Sequence, residues 1–216
     1  MPQTKTSKSL LRNCVTFPSF DDLPHENDID FTYYDEGPYR FAPRRHWCFL
    51  GEIVADYGIF RVLLRAKDKD GQVVTIGLYT DDRGRALAPQ IKEGHTVAVL
   101  YGEQHHFLDM TVGIRVEEPS VIKIIPCSLD QLLKASDDVA ALGKGRSARC
   151  GCCGKGENSD NTHLRLCSRC KQESYCGEVC QKKAWVDGHK TDCKVLAGVQ
   201  WFTARNWETF HRYFNF

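Results

Sequence analysis

The sequence predicts an α+β chain in which a small all-β barrel is followed by a cysteine-clamped module and a terminal helix. Three observations predict it. Residues 46–126 run in short apolar stretches of period two, eight of the 11 cysteines fall between Cys150 and Cys193, and large apolar side chains recur at helical spacing towards Phe216.

The 216 residues suffice for one mid-sized domain or two small ones, and 42% of them are hydrophobic, enough for a real core. A formal net charge of +1 provides no global field towards nucleic acid or anionic lipid. No run approaches the roughly 18 apolar residues of a membrane span, so no membrane partner is expected.

Residues 1–30 are polar and punctuated by proline, and are expected to form a disordered leader. No acid precedes Asp21, which leaves a mitochondrial presequence as the alternative; no stretch is apolar enough for a secretory signal. The aromatic stretch FTYYDEGPYRF shows neither helical nor strand period and is expected to pack on the domain that follows, taken as 31–127. In that domain WCFLGEIVADYG and IFRVLLRAKD flank a bend at Tyr57-Gly58. Asp70-Gly71 then joins the second run to QVVTIGLYTD, which alternates over Val74, Ile76 and Leu78, a strong hairpin signal. RALAPQIKEG interrupts as a weak helix or loop, and HTVAVLYG, TVGIRVEE and VIKIIP follow. Five or six strands over about 80 residues must close or pack as two sheets to bury one face. Three strands, an interruption, then IKEGHTVAVLYGEQHHFLDMTVGIRVEE resembles an OB-fold; a Tudor-like barrel or a small sandwich is the alternative. Residues 128–149 read as a short helix through Leu132 and Leu133, with Ser128 as its N-cap, and a flexible connector, GKGRSA.

The cysteines set the chemistry. Cys150 and Cys153, Cys167 and Cys170, Cys176 and Cys180, His189 and Cys193 form four pairs, each a two-point claw. In C-x2-C the chain turns tightly enough for both thiolates to face one ion, and the i, i+4 pairs lie on one face of a helix. Such ligands select tetrahedral zinc, and eight of them make two closed sites with no position for a reactive water. The expected cofactor is therefore two structural Zn²⁺. The segment has few large aliphatics (Leu164, Leu166, Val179, Val186, Leu196), and a core that thin generally needs metal to fold. Paired cysteines of this kind point to a reducing, intracellular setting, nuclear or cytoplasmic.

The stretch LRLCSRCKQESYCGEVCQKKAWVDGHKTDC closely resembles the MYND zinc finger, through its C-x2-C, Tyr175 before the next cysteine, and the Cys-Gln, Ala-Trp, His-Lys, Cys progression. RING and PHD fingers fit worse, because they close with C-x2-C where this chain has His-x3-Cys. The resemblance covers about 150–193 and implies a cross-braced arrangement: one zinc on Cys150, Cys153, Cys176 and Cys180, the other on Cys167, Cys170, His189 and Cys193. Cys152 adjoins Cys153, so either could ligate, with the x2 spacing favouring Cys153. The 13-residue gap to Cys167 suggests a looped-out insertion, GKGENSDNTH, in which His163 reads as a solvated histidine. The resemblance also implies a protein-interaction platform in regulatory complexes. Several members hold proline-containing peptides, at positions matching Ser168, Gln181 and Trp185 here. The plainer reading packs Trp185 between helices and leaves Gln181 in solvent.

A competing function is single-stranded nucleic-acid binding by the β-domain, through Trp47, Phe49, Tyr57, Phe60, Tyr79 and Tyr101. Charge does not favour it. Residues 46–126 hold nine Lys/Arg against 11 Asp/Glu. The excess of five cations over 144–194 falls to about +2 once seven thiolates and two Zn²⁺ are included. His105-His106 reads as an exposed hairpin tip. Residues 194–216 are expected to form an aromatic helix through Leu196, Val199, Phe202 (or Thr203), Trp207, Phe210 and Phe214, docked on the finger or the barrel. No Gly-rich phosphate loop, G-x-S-x-G, H-E-x-x-H or deaminase motif is present, and nothing in 1–145 resembles the SET domain of the MYND-containing lysine methyltransferases, so no enzyme is expected.

Overall fold

The computed structural model of the chain describes residues 10–142, 148–156 and 163–216, which form two compact units. One holds Asn13–Leu129 with Asn206–Phe216; the other holds residues 10–12 with Asp130–Arg205. The start of the expected leader (1–9), most of the GKGRSA connector (143–147) and most of the expected insertion (157–162) lie outside the described residues.

The first unit is mostly β. A small hairpin, β1 (Tyr34–Glu36) and β2 (Phe41–Pro43), forms in the stretch where no strand period was legible. The main sheet contains β3 (Cys48–Tyr57), β4 (Leu63–Lys67), β5 (Val73–Leu78), β6 (Thr96–Leu100), β7 (Gln104–His106), β8 (Val112–Val116) and β9 (Ile122–Ile125). Their order is β7-β8-β5-β4-β3-β6-β9. β3, β4 and β5 form the antiparallel meander expected from the turns, with Leu64 opposite Ile76. β5 then pairs in parallel with β8, Ile76 opposite Ile114, and β3 pairs antiparallel with β6. A three-stranded meander whose third strand takes the fifth run in parallel while its first takes the fourth is OB-like connectivity. The hydrogen-bonded ladder is open between β7 and β9, so the expected barrel is a seven-stranded sheet of OB-like connectivity and not a closed ladder.

Alternation decides which face is core. Phe49, Ile53, Leu64, Ile76, Val97, Val99 and Ile114 share one buried cluster with Trp47. On the other face Cys48, Leu50, Ala98 and Leu100 are also buried. Beside it run residues 13–17, through the Cys48 amide to Thr16 oxygen bond (2.9 Å), and the segment from Asn206, through the His46 amide to Trp207 oxygen bond (2.9 Å).

Much of the stretch read as a disordered leader is packed: Phe17, Phe20 and Leu23 are buried, and the Gln104 side chain donates to the Leu23 carbonyl. Buried Asp68, in the β4–β5 turn, accepts the amides of Phe20, Asp70 and Gln72, so one carboxylate both shapes the turn and anchors this segment. Nor do residues 194–216 form one helix. The segment from Asn206 lies on the β-unit: Trp207 packs on Phe17 (ring centroids 4.9 Å apart), and Phe214 stacks on His46 at 3.7 Å. The Phe214 amide donates to the Tyr101 hydroxyl, 2.7 Å away.

The second unit is built on helices α1 (Leu129–Leu142), α2 (Glu178–Ala184) and α3 (Lys190–Thr203). α1 extends well beyond the short helix expected around Leu132 and Leu133, both of which are buried. Arg12 pairs with Asp137 of α1 at 2.9 Å. Ala135 and Val139 pack against the cluster of Leu196, Tyr175 and the buried cysteines.

Candidate metal centre

The cysteine-rich segment is made of two knuckles and a helical arm. In the first knuckle the Cys150 amide donates to the Lys155 carbonyl and the Gly154 amide to that of Cys150. The second is a minimal hairpin, β10 (Arg165–Leu166) and β11 (Ser174–Tyr175), whose turn carries Cys167 and Cys170. Gly151 donates to Ser174, which ties the two knuckles together.

The helical arm must serve two sites. In one straight helix, Cys180 and His189 are nine residues apart, roughly 180° around the axis at about 100° per residue. A widened turn at Trp185–His189 interrupts the arm, and Gly188 sits there at φ 141°. That backbone region suits glycine, so Gly188 is what lets the chain re-aim His189 and Cys193. Gly188→Ala is expected to weaken zinc at the His189 site by about 5- to 150-fold, from about 1–3 kcal/mol of backbone strain. Competitive titration with a chromogenic chelator would read this, with the other site unchanged.

The structure brings the eight predicted ligands into two groups. Cys150, Cys153, Cys176 and Cys180 form one, and Cys167, Cys170, His189 and Cys193 the other, with ligand atoms within 4.8 Å of one another in each. The separations match zinc chemistry. Sulfur atoms at 2.3 Å from a tetrahedral ion lie about 3.8 Å apart. The Cys153–Cys176, Cys176–Cys180 and Cys167–Cys193 sulfurs are 3.7, 3.5 and 3.8 Å apart, far longer than a disulfide. Cys170 sulfur is 3.8 Å from His189 Nε2. Three or four thiolates in this geometry fit two structural zinc ions, with every tetrahedral corner taken by protein.

The backbone prepares one thiolate in each group, whereas Cys170, Cys176, Cys180 and Cys193 are raised by burial and by neighbouring sulfurs. Burial pushes the Cys150 thiol up, yet amides of Cys153, Cys176 and Cys152 directed at its sulfur bring it down to about 6. Burial likewise raises Cys167, and the Cys170 amide, His189 and the Arg169 amide outweigh it, again to about 6. The His189 site is buried throughout, whereas Cys153 at the other site is exposed. Cys152 is outside both groups, and His163 is exposed.

Of the positions read as a peptide groove, Ser168 and Gln181 are exposed and Trp185 is 36% exposed. The Trp185 ring also meets His189 edge-on at 5.9 Å, so it supports a ligand as well as facing solvent. Of the nucleic-acid candidates, Trp47 and Phe49 are core, and Tyr101 is partly buried beneath the C-terminal segment. Tyr57 and Phe60 are exposed and Tyr79 is half-buried. His105 and His106 lie in β7, not at a tip; His105 bonds to Glu26 at 2.5 Å. That pairing needs tertiary contact with the N-terminal segment and had no local signal.

Two interleaved four-ligand sites on one short segment define a cross-braced zinc finger. Residues 150–193 match the family model of the MYND finger. Human histone-lysine N-methyltransferase SMYD3 is 40% identical over 75 residues, which are 34% of this chain and 16% of that protein. The match thus spans about a sixth of that relative's length. Among solved structures, the S. pombe Stn1–Ten1 complex matches at 19% identity over 50% of this chain and 77% of that one, TM-score 0.32. Rim1, a mitochondrial single-stranded DNA binding protein of S. cerevisiae, matches at 13% identity over 40% of this chain and 100% of that one, TM-score 0.30.

Proposed function

We propose that this chain is a protein-interaction module whose zinc-clamped finger holds a proline-containing peptide of a regulatory complex against Ser168, Gln181 and Trp185. The observation that carries the reading is that a large aromatic, Trp185, stands partly exposed on a scaffold whose metal corners are all protein. Such a scaffold can present a surface, and rigid aromatics at a surface anchor peptides. The likeness to a methyltransferase is confined to about a third of the chain and lends no support to methyl transfer. A reducing nuclear or cytoplasmic setting suits thiolates kept for zinc.

The test is a proline-rich peptide array probed with zinc-loaded protein and its Trp185→Ala variant. Binding should fall at least about tenfold in the variant, since central aromatic anchors contribute 2 kcal/mol or more. Zinc content is measured on both, because Trp185 also touches His189. Retained binding by a zinc-replete variant would overturn the reading. Exposed Tyr57 and Phe60 support the competing reading, single-strand binding. It requires steeply salt-dependent binding of an oligonucleotide.

A further inference from the structure

Away from the finger, the β-unit carries a second surface that its own core does not explain. Ile59 and Phe60, in the β3–β4 turn, are 94% and 76% exposed; Leu108 and Met110, in the β7–β8 turn, are more than 85% exposed. Exposed apolar side chains scattered singly are ordinary. These are not scattered, because Tyr79 at the end of β5 joins the two turns: the Arg61 guanidinium lies 3.7 Å over its ring, and Phe107 stacks beside it at 6.2 Å. Arg115 lies 4.5 Å over the same ring.

We infer that these two turns form a docking surface for a short acidic, amphipathic peptide segment of a partner protein. The partner's apolar side chains cover Ile59, Phe60, Leu108 and Met110, and its carboxylates meet Arg61 and Arg115. Charge complementarity selects this occupant. Among the described residues no carboxylate lies within ion-pair distance of Arg61; the Asp109 carboxylate between Leu108 and Met110 is engaged by the Thr111 amide and hydroxyl, and the one on Arg115 comes from exposed Glu117, a pairing an incoming carboxylate can replace at little cost. Planar guanidinia held by an aromatic ring are pre-set for bidentate carboxylate bonds.

Nucleic acid fits less well. The guanidinia already occupy the Tyr79 ring, and three of the four protruding side chains are aliphatic and offer no stacking plane. Two local cations serve a short acidic motif but do not track a phosphate chain.

The experiment uses the full zinc-loaded chain and fluorescence anisotropy with three labelled probes: a peptide alternating Leu and Phe with Asp and Glu, the same peptide with Lys for every acid, and an oligothymidylate. The acidic peptide should bind saturably and most tightly. Phe60→Ser with Leu108→Ser should raise its Kd at least about tenfold, and Arg61→Glu should do so alone. These side chains are outside the core, so the thermal midpoint should stay put; if the double variant fails to fold, Arg61→Glu decides. Trp185→Ala should leave this binding unchanged, which separates the surface from the finger. Equal binding of the basic peptide, preference for the oligothymidylate, no binding, or binding indifferent to these substitutions would overturn the inference.

Discussion

Removing zinc is expected to unfold the finger and leave the β-unit folded. The finger's buried cluster consists largely of the ligands themselves, with Tyr175 and Leu196 as its main apolar members. Structural zinc in fingers of this size supplies about 10–16 kcal/mol of apparent binding free energy at pH 7, more than so thin a core can replace. Chelation should therefore abolish the helical signal of α2 and α3 in far-ultraviolet circular dichroism. The β-unit has its own cluster around Trp47, Phe49 and Ile76, and its near-ultraviolet aromatic signal and unfolding transition should persist. Cys170→Ser should reproduce the loss at the His189 site, where Cys170 is fully buried. Acid should act in the same direction, because protonated thiols release the metal. Helix content that survives full zinc removal would overturn this account.

Ending the chain at Arg205, or replacing Trp207 with Ala, is expected to destabilise the β-unit rather than the finger. Trp207 is 3% exposed, packed on Phe17 and edge-on to Phe214. Truncating a buried tryptophan costs about 3–5 kcal/mol, a large part of a domain's stability. Denaturant unfolding should show the loss in the β transition alone, with zinc affinity unaltered. The same seam should respond to pH through His46. Burial holds its pKa below the ordinary 6.5, outweighing the Thr209 carbonyl that favours the charged ring. The neutral ring is thus the folded form, its Nδ1 2.7 Å from the Tyr101 hydroxyl while Phe214 covers its face. Its contribution is complete above about pH 6.5 and is lost as pH falls through the depressed value. His46→Phe should flatten that dependence; a transition with unchanged slope over the acidic range would exclude His46 as its origin.

The zinc centre was legible because its determinants are local. C-x2-C and i, i+4 spacings dictate which side chains can share an ion over a few residues, whatever the rest of the chain does. The interleaving came from the family resemblance and not from spacing, since nothing within a pair says which other pair joins it. Gly188, which makes the interleaving possible, had no signal beyond being a glycine in a helical run. The β4–β5 turn was equally local, written in Asp70-Gly71 and the alternation beyond it. The pairing of β5 with β8 depends on residues some forty positions apart, and no period in either strand reports its partner.

Local signals in the chain thus settle the kind of each element and the metal chemistry: strands by alternation, ligands by spacing, two zinc ions by the donor set. Where the chain's flanking segments go depends instead on long-range packing. The helical spacing of Leu196, Val199 and Phe202 continues loosely through Trp207, Phe210 and Phe214, yet α3 stops at Thr203. The Arg205 guanidinium takes up the Trp201 carbonyl at 2.6 Å, and the Asn206 side chain accepts the Glu208 amide at 3.0 Å, turning the backbone out of the helix. Those local bonds compete with helix continuation. The balance is set by the surface of His46, Tyr101 and Phe17 that receives Trp207, Tyr213 and Phe214, and that surface exists only once the sheet has folded.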